Sequence, residues 1–590
     1  MKATPTSLLT SQRLRRIDAA LGDWVARAFP ADPPETALAA ALAARAVADG
    51  HSALALKDAQ RWLARLDGDG QAPKLPAAGA WSAALQHASA VQSGAVADGI
   101  RPLVLDAQGR VYLRRYFEYE QALAHALVAH ARGVGSVGGS ASTLANVVTD
   151  ALDPEQQRAI DIALTHRFTL VTGGPGNGKT FVVARILAAL AVQAHARAEP
   201  LRIALAAPTG KAAARLRESV QVQIASLPLS AAVAALMPRD ATTLHRLIGL
   251  SPWQAKPRHD TASPLPFDVL VVDEVSMVDL PLMAKLLAAV PRESRLILLG
   301  DPDQLSAVEA GNVLGALVEA ARESPLRACH AALTRSHRFG ADSALGALAR
   351  AIVGADAEAA LAACARDGDV ALADAGGMAR VVEQAATAYR PLLDARDAAD
   401  ALHVARGFRV LTALRHGPAG CVALDHAIAA RLQRGLGLRA DARWWRGRLI
   451  LVTANRPELG LFNGDTGVIW PDASGTLSAW FETADGAPRM LPVAALPPHE
   501  GAFALTVHKA QGSEFERVAL VTGPESAVLT RELLYTGVTR ARAGITLHTT
   551  PDILRKGLAN PTLRMTGLAD RLREAATAPT PIAESLPTPA

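Results

Sequence analysis

Cysteine is nearly missing from this 590-residue chain: Cys329, Cys364 and Cys421 stand far apart, without the paired spacing of a zinc or redox site. A disulfide framework is excluded, and a reducing compartment is expected. Long apolar runs are missing as well. No stretch approaches the unbroken length a membrane span needs, so no membrane association is expected. Near the start, Arg13, Arg15, Arg16 and Asp18 interrupt the apolar segment an export signal requires, which makes the cytoplasm the expected location. Charge of one sign is scarce: 61 basic against 56 acidic residues leave +5, which permits an anionic partner without requiring one. Lysine is scarcer still, nine of those 61, so the position of each lysine carries information. No internal repeat is visible.

A chain of this length is too long for one core and predicts several domains. Residues 1–131 read as an Ala- and Leu-rich, mainly helical N-terminal domain, broken by Pro30, Pro33 and Pro34 and by a strand-like segment around a Gly109 turn. Residues 132–144 are small and aperiodic, a linker. From 145 to 325, short Val/Leu/Ile runs alternate with helical stretches, the pattern of a parallel sheet wrapped by helices. A second α/β lobe is expected over 326–435 and again over 501–575. Residues 436–500 read as short strands and turns, a small β-barrel insert, and the Pro-rich 576–590 as a disordered tail.

After the strand FTLV comes GGPGNGKT, which fits GxxxxGK[ST] as Gly173, Gly174, Pro175, Gly176, Asn177, Gly178, Lys179 and Thr180, with Phe181 opening the following helix. Glycines let backbone N–H groups turn inward around phosphate oxygens, Lys179 reaches the outer phosphates, and Thr180 suits a magnesium ligand. About ninety residues on, the strand FDVLVVDE delivers Asp273 and Glu274 to its carboxyl end: one carboxylate for the magnesium shell, one to polarise the attacking water. ATP and Mg²⁺ are thus the expected cofactors of a hydrolase.

The surrounding motifs resemble those of superfamily 1 helicases, most closely the RecD family of exodeoxyribonuclease V alpha subunits. LDPEQQRAI is similar to the adenine-reading glutamine motif at Gln156. GDPDQL looks like motif III, with Gln304 sensing the terminal phosphate. LTRSHRF and LLYTGVTRAR look like motifs IV and VI, which makes Arg338 and Arg540 the phosphate-contacting arginines of the second lobe. APTGKAAARL, LHRLIG and FALTVHKAQGSEF resemble motifs Ia, Ib and V. They place Pro208, Thr209, Lys211, His245, Thr506, His508 and Lys509 near single-stranded DNA, where donors and cations meet backbone phosphates. NRPELGLFNGDTGVI resembles the family's barrel insert, with Asn463 at its turn. Three of the nine lysines, Lys179, Lys211 and Lys509, fall in these motifs.

The resemblance implies an α/β fold of two RecA-like motor lobes with an SH3-like β insert in the second. It implies an ATP-dependent, 5′ to 3′ single-stranded-DNA translocase and helicase working on duplex ends in a heterotrimer with RecB-like and RecC-like subunits, for recombinational repair. Nuclease activity is expected in a partner. Two other readings stand beside it: a stand-alone relative acting without partners, and a structural subunit whose ATP site regulates assembly. The segment VYLRRYFEYE reads equally as a docking surface or as a core strand.

Overall fold

The computed structural model describes residues 3–66, 71–93, 100–133, 152–251, 254, 256–340, 343–366, 368–373, 377–439, 441–483, 486–523 and 528–578. The expected linker lies almost wholly outside the described residues, and so does the expected tail from 579 onward.

A six-stranded parallel sheet carries the first lobe, in the order His330–Leu333, Phe168–Gly173, Arg295–Gly300, Val269–Val272, Ile203–Ala207, Ala241–Thr243. Its central strands are apolar on both faces (Val269–Val272 is buried throughout), because helices cover both sides. A five-stranded parallel sheet carries the second lobe: Val370–Ala373, Ala541–His548, Phe515–Val521, Phe408–Thr412, Ala504–Thr506. Between Phe408–Thr412 and Ala504–Thr506 the chain detours through a five-stranded antiparallel sheet, order Pro488–Pro492, Leu477–Glu482, Thr466–Pro471, Leu449–Val452, His499–Gly501. That sheet occupies the interval expected to hold a barrel.

Two expectations change. His330–Leu333 pairs in parallel register with Phe168–Gly173 and so belongs to the first-lobe sheet, beyond the boundary expected at 325. The helix Leu568–Thr577 passes the expected end of the second lobe at 575 and leaves that lobe altogether. Its Leu568, Leu572 and Ala575 join the first lobe's core, next to Leu123 and Leu127 of the helix Arg114–Arg132. The helix Lys179–Ala196 reaches the length and mean apolarity of a membrane span, although Lys179 and Arg185 keep it from being an unbroken apolar run. It is apolar nearly all round because it is packed between the sheet and other helices, with most of its side chains buried.

The N-terminal domain has its own core around Leu42, Trp62 and Trp81 and a small sheet that includes Leu103–Leu105 and Arg110–Leu113. VYLRRYFEYE resolves into the end of that strand and the start of the helix Arg114–Arg132; Val111, Tyr112 and Tyr119 are buried, which makes it a core segment. The fully buried Glu120 accepts hydrogen bonds from Ser52 Oγ, Thr566 Oγ1 and Gly567 N at 2.6, 2.7 and 3.1 Å, and from Arg571 Nε at 3.2 Å. A buried carboxylate is tolerable only when paired and hydrogen-bonded in this way. It ties the N-terminal domain to the C-terminal segment.

Candidate active site

The loop Gly174–Gly178 joins the strand Phe168–Gly173 to the buried helix Lys179–Ala196, so its backbone sits at the carboxyl edge of the first sheet, above a helix N-terminus. Gly176 and Gly178 take φ of +81° and +83°, a region that side chains rarely adopt. A Cβ on Gly176 would stand 2.3 Å from the Cβ of Arg338, and one on Gly178 3.0 Å from Gln156 Nε2. Lys179 Nζ donates to the carbonyls of Gly173 and Gly174 at 2.6 and 3.1 Å. Asn177 is buried, and its Nδ2 donates to the Leu333 carbonyl at 2.6 Å, which fixes the loop to the edge strand.

Asp273 and Glu274 leave the end of the strand Val269–Val272. Glu274 has φ +54° and its N–H donates to Asp273 Oδ1 at 2.8 Å, an uncommon backbone state held next to reacting groups. Burial and the adjacent Glu274 push the Asp273 carboxyl up to about 6, against the pull of Lys179. Following the strand Arg295–Gly300, Asp301 is buried, accepts from Gln304 Nε2 at 3.0 Å and from Tyr535 Oη at 3.1 Å, and is raised by burial. Leu305 N donates to Thr536 Oγ1 at 2.9 Å, and Gln511 Nε2 donates to the Leu305 carbonyl at 3.1 Å. The loop that holds Gln304 is therefore gripped by the second lobe.

From that lobe, Arg540 is buried and donates to the Thr536 and Ser513 carbonyls. Arg338 pairs with Glu514 at 2.7 Å, and its Nη1 is buried without a hydrogen-bond partner. Arg215 of the first lobe and Arg542 of the second reach the same Glu514 at 3.2 and 3.0 Å. Burial alone would raise the Glu514 carboxyl, but Arg215, Arg338 and Arg540 outweigh it and hold it at about 2.

On the other side of the loop, Gln156 closes a capping box with Asp153, and its Nε2 lies 3.2 Å from His337 Nε2. The His337 N–H donates to the Gly176 carbonyl at 2.9 Å. Phe181 is half-buried, with the Arg185 guanidinium over its ring at 3.3 Å. Gln156, the Gly173–Thr180 loop, Asp273, Glu274, Gln304, Arg338 and Arg540 thus converge on one cleft between the lobes. The donor set fits a magnesium nucleotide: two adjacent carboxylates, one of them raised by burial and by its neighbour, face a glycine cradle with Lys179 and an arginine with a spare N–H.

The DNA-facing candidates do not all gather. Thr209 caps the helix Gly210–Ala225, accepting from Ala212 N at 3.2 Å, directly after Pro208. Lys211 crosses to the second lobe, donating to Ser513 Oγ at 2.7 Å and to the Gly464 carbonyl at 3.5 Å. Burial brings its ammonium down to about 8, with Asp465 opposing. Asn463 is exposed on the insert turn beside Gly464. Thr506 and Lys509 share one turn, Lys509 N donating to Thr506 Oγ1 at 3.3 Å, and the Lys509 ammonium is paired with Glu500. His245 is exposed on the short helix Leu244–Leu247. His508, by contrast, lines a cavity of about 340 Å³ shared with His51, Trp62 and Arg564.

Sequence reasoning did not single out Asp301, Tyr535, Glu514 or Arg215. Asp301 and Tyr535 sit inside motifs already read for Gln304 and Arg540. A strand end followed by Asp was the available signal for Asp301; Glu514 and Arg215 likewise lie inside FALTVHKAQGSEF and APTGKAAARL, but nothing in either motif points to their pairing across the lobes.

Three family models match this chain: the RecBCD enzyme subunit RecD N-terminal domain at residues 10–112, an AAA domain at 156–310, and a UvrD-like helicase C-terminal domain at 501–547. The RecBCD enzyme subunit RecD of Mycolicibacterium smegmatis is 39% identical over 92% of this chain and 95% of that protein. The subunit of the same name from Haemophilus influenzae is 35% identical over 71% and 72%. A crystal structure of Pif1 helicase from Bacteroides with ADP-AlF3 and single-stranded DNA aligns over 69% of this chain and 94% of that one, at 15% identity and a TM-score of 0.38. With near-complete coverage of a relative at 39% identity, and the family's own N-terminal domain in place, the chain belongs to the RecD family of RecBCD enzyme subunits.

Proposed function

We propose that this chain is an ATP-driven, 5′ to 3′ single-stranded-DNA translocase and DNA helicase, the motor subunit of a RecBCD-type helicase-nuclease that processes duplex ends. The observation that carries this reading is that the nucleotide cleft and the strand-binding candidates span the same two lobes. Arg338 stands against Gly176 of the phosphate loop and Arg540 of the second lobe lies within the field of Glu274 and Asp301, while Lys211 of the first lobe reaches Ser513 and Gly464 of the second. Any change of lobe separation at the nucleotide is therefore felt at the strand.

Each group has a task. The loop N–H groups and Lys179 hold the outer phosphates, and Lys179 exchanges its two carbonyl partners for phosphate oxygens. Thr180 and Asp273 would hold magnesium, which would supply charge neutralisation on the phosphates. Glu274 orients and polarises water; Gln304 reports the terminal phosphate; Arg338 and Arg540 stabilise the charge that develops on it. Gln156, against Gly178 and His337, reads adenine. Pro208, Thr209, Lys211, His245, Asn463, Thr506 and Lys509 form the strand-binding set, which contacts backbone and so carries little sequence preference, while His508 stands apart in its cavity beside Arg564. RecB-like and RecC-like subunits are the expected partners in a heterotrimer, with DNA as the substrate.

The test is ATP hydrolysis by the purified chain with and without single-stranded DNA, alongside Lys179→Ala, then unwinding of 5′-tailed and 3′-tailed duplexes. DNA stimulation lost in Lys179→Ala, with unwinding from the 5′ tail alone, supports the motor. Hydrolysis indifferent to DNA and no unwinding, even with partner subunits added, sinks it in favour of a regulatory ATP site.

A further inference from the structure

The loop that carries Gln304 is held from two directions. Its first half faces the second lobe, through Asp301 to Tyr535 and Leu305 to Thr536 and Gln511. Its second half faces the N-terminal domain and the C-terminal segment. Arg564 Nε donates to Ser306 Oγ at 3.1 Å and Arg564 Nη2 to the Ala307 carbonyl at 2.6 Å, while Nη1 donates to the Asp49 carbonyl of the N-terminal domain at 2.9 Å. A few residues on, Gly311 N donates to the Gly50 carbonyl at 3.0 Å.

The neighbouring backbone is shaped for this guanidinium. Gly50 has φ +85°, and a Cβ there would fall 1.5 Å from Arg564 Nη1, so the arginine fills the notch that glycine leaves. The three acceptors are two carbonyls and a hydroxyl, with no carboxylate among them. The contact therefore depends on the rigid fork of donors and not on a charge pair, and lysine cannot reproduce it.

We infer that Arg564 is a positioning residue that fixes the Gln304 loop against the N-terminal domain, so that motion at the terminal phosphate is transmitted to that domain and contacts on that domain are transmitted to hydrolysis. The inference rests on the motor reading above and adds to it a named connection from the ATP site to the N-terminal domain.

The experiment measures ATP hydrolysis by the full chain over a range of ATP concentrations, with and without single-stranded DNA, for wild type, Arg564→Ala, Arg564→Lys, Gly50→Ala and Ser306→Ala. Arg564→Ala is expected to lower the DNA-stimulated kcat at least about tenfold, since small misplacements of catalytic groups cost that much or more. KM for ATP and DNA-free hydrolysis should stay at wild-type values. Arg564→Lys should not rescue, and Gly50→Ala, which displaces the guanidinium from the opposite side, should lower the same parameter. Ser306→Ala removes one acceptor on the loop alone and should give a smaller loss of that parameter, so the inference stays testable if Arg564→Ala fails to fold. Wild-type DNA stimulation in Ser306→Ala and Gly50→Ala, or in Arg564→Ala, overturns it. So does a loss shared equally by DNA-free hydrolysis and tracking the folded fraction in a thermal melt. Wild-type hydrolysis that ignores DNA would instead overturn the motor reading, whatever the variants do.

Discussion

Arg215 of the first lobe and Glu514 of the second lie 3.2 Å apart across the boundary between the lobes, and Glu514 also accepts from Arg338 and Arg542. Its carboxyl is held at about 2 against an ordinary 4.5, so the network stabilises the folded chain fully above pH 4.5 and loses that stabilisation as pH falls toward 2. The difference corresponds to about 3 kcal/mol. Glu514→Gln should therefore melt several degrees below wild type at pH 7, and the gap should close between pH 4.5 and 2. A gap that is constant across that window would mean that the arginines do not depress the carboxyl.

Asp273 titrates the other way. Its carboxyl is raised to about 6, so in the nucleotide-free protein the magnesium-binding form is present above pH 6 and lost below it. kcat/KM for magnesium-ATP, which reports groups of the free enzyme, should fall about tenfold per pH unit below 6. Asp273→Asn should cost at least about a hundredfold at pH 7.5 and remove this acid limb. A flat profile from pH 7 to 5 would contradict the assignment.

Lys211 provides a third handle. Its ammonium is lowered to about 8 by burial, so the cation is present below pH 8 and disappears above it. Affinity for single-stranded DNA should weaken from pH 7 to 9, and Lys211→Met should be insensitive to that change. The slope of log affinity against log salt should drop by about 0.7 in the variant, the value for one lost phosphate contact on a single strand. An unchanged slope would place Lys211 off the strand path.

The candidate site was legible because its chemistry is compressed into short motifs: a glycine cradle after a strand, an acidic pair after another, and lysines scarce enough that Lys179 and Lys211 stand out. Glu514 was not. Its role arises where arginines 215, 338 and 542 converge from separate elements, and no local pattern encodes that meeting. Domain edges were misjudged for a related reason. His330–Leu333 reads HAAL, too short and too plain to declare which sheet it joins, and the parallel partner Phe168–Gly173 decides. Leu568–Thr577 is an ordinary amphipathic helix whose destination depends on the Glu120–Arg571 ion pair and the first lobe's open face.

Gly176 allows a test of cradle geometry apart from backbone strain. An alanine there meets two obstacles: φ +81°, which costs about 1 to 2 kcal/mol for a residue with a Cβ, and the Arg338 Cβ 2.3 Å away. Gly475 on an insert turn has a similar φ of +86° with nothing within 4 Å of a built Cβ, so Gly475→Ala carries the strain without the collision. Both variants should lose thermal stability through the strained backbone, Gly176→Ala the more because it adds the collision. Gly176→Ala alone should lose about a hundredfold in kcat/KM for ATP, because Arg338 is displaced from the phosphate loop and a misplacement of about 1 Å is enough for that. Equal activity in the two variants would show that Arg338 does not need its position against Gly176, and that the approach of the second lobe to the phosphate loop in this structure is not the one used for hydrolysis.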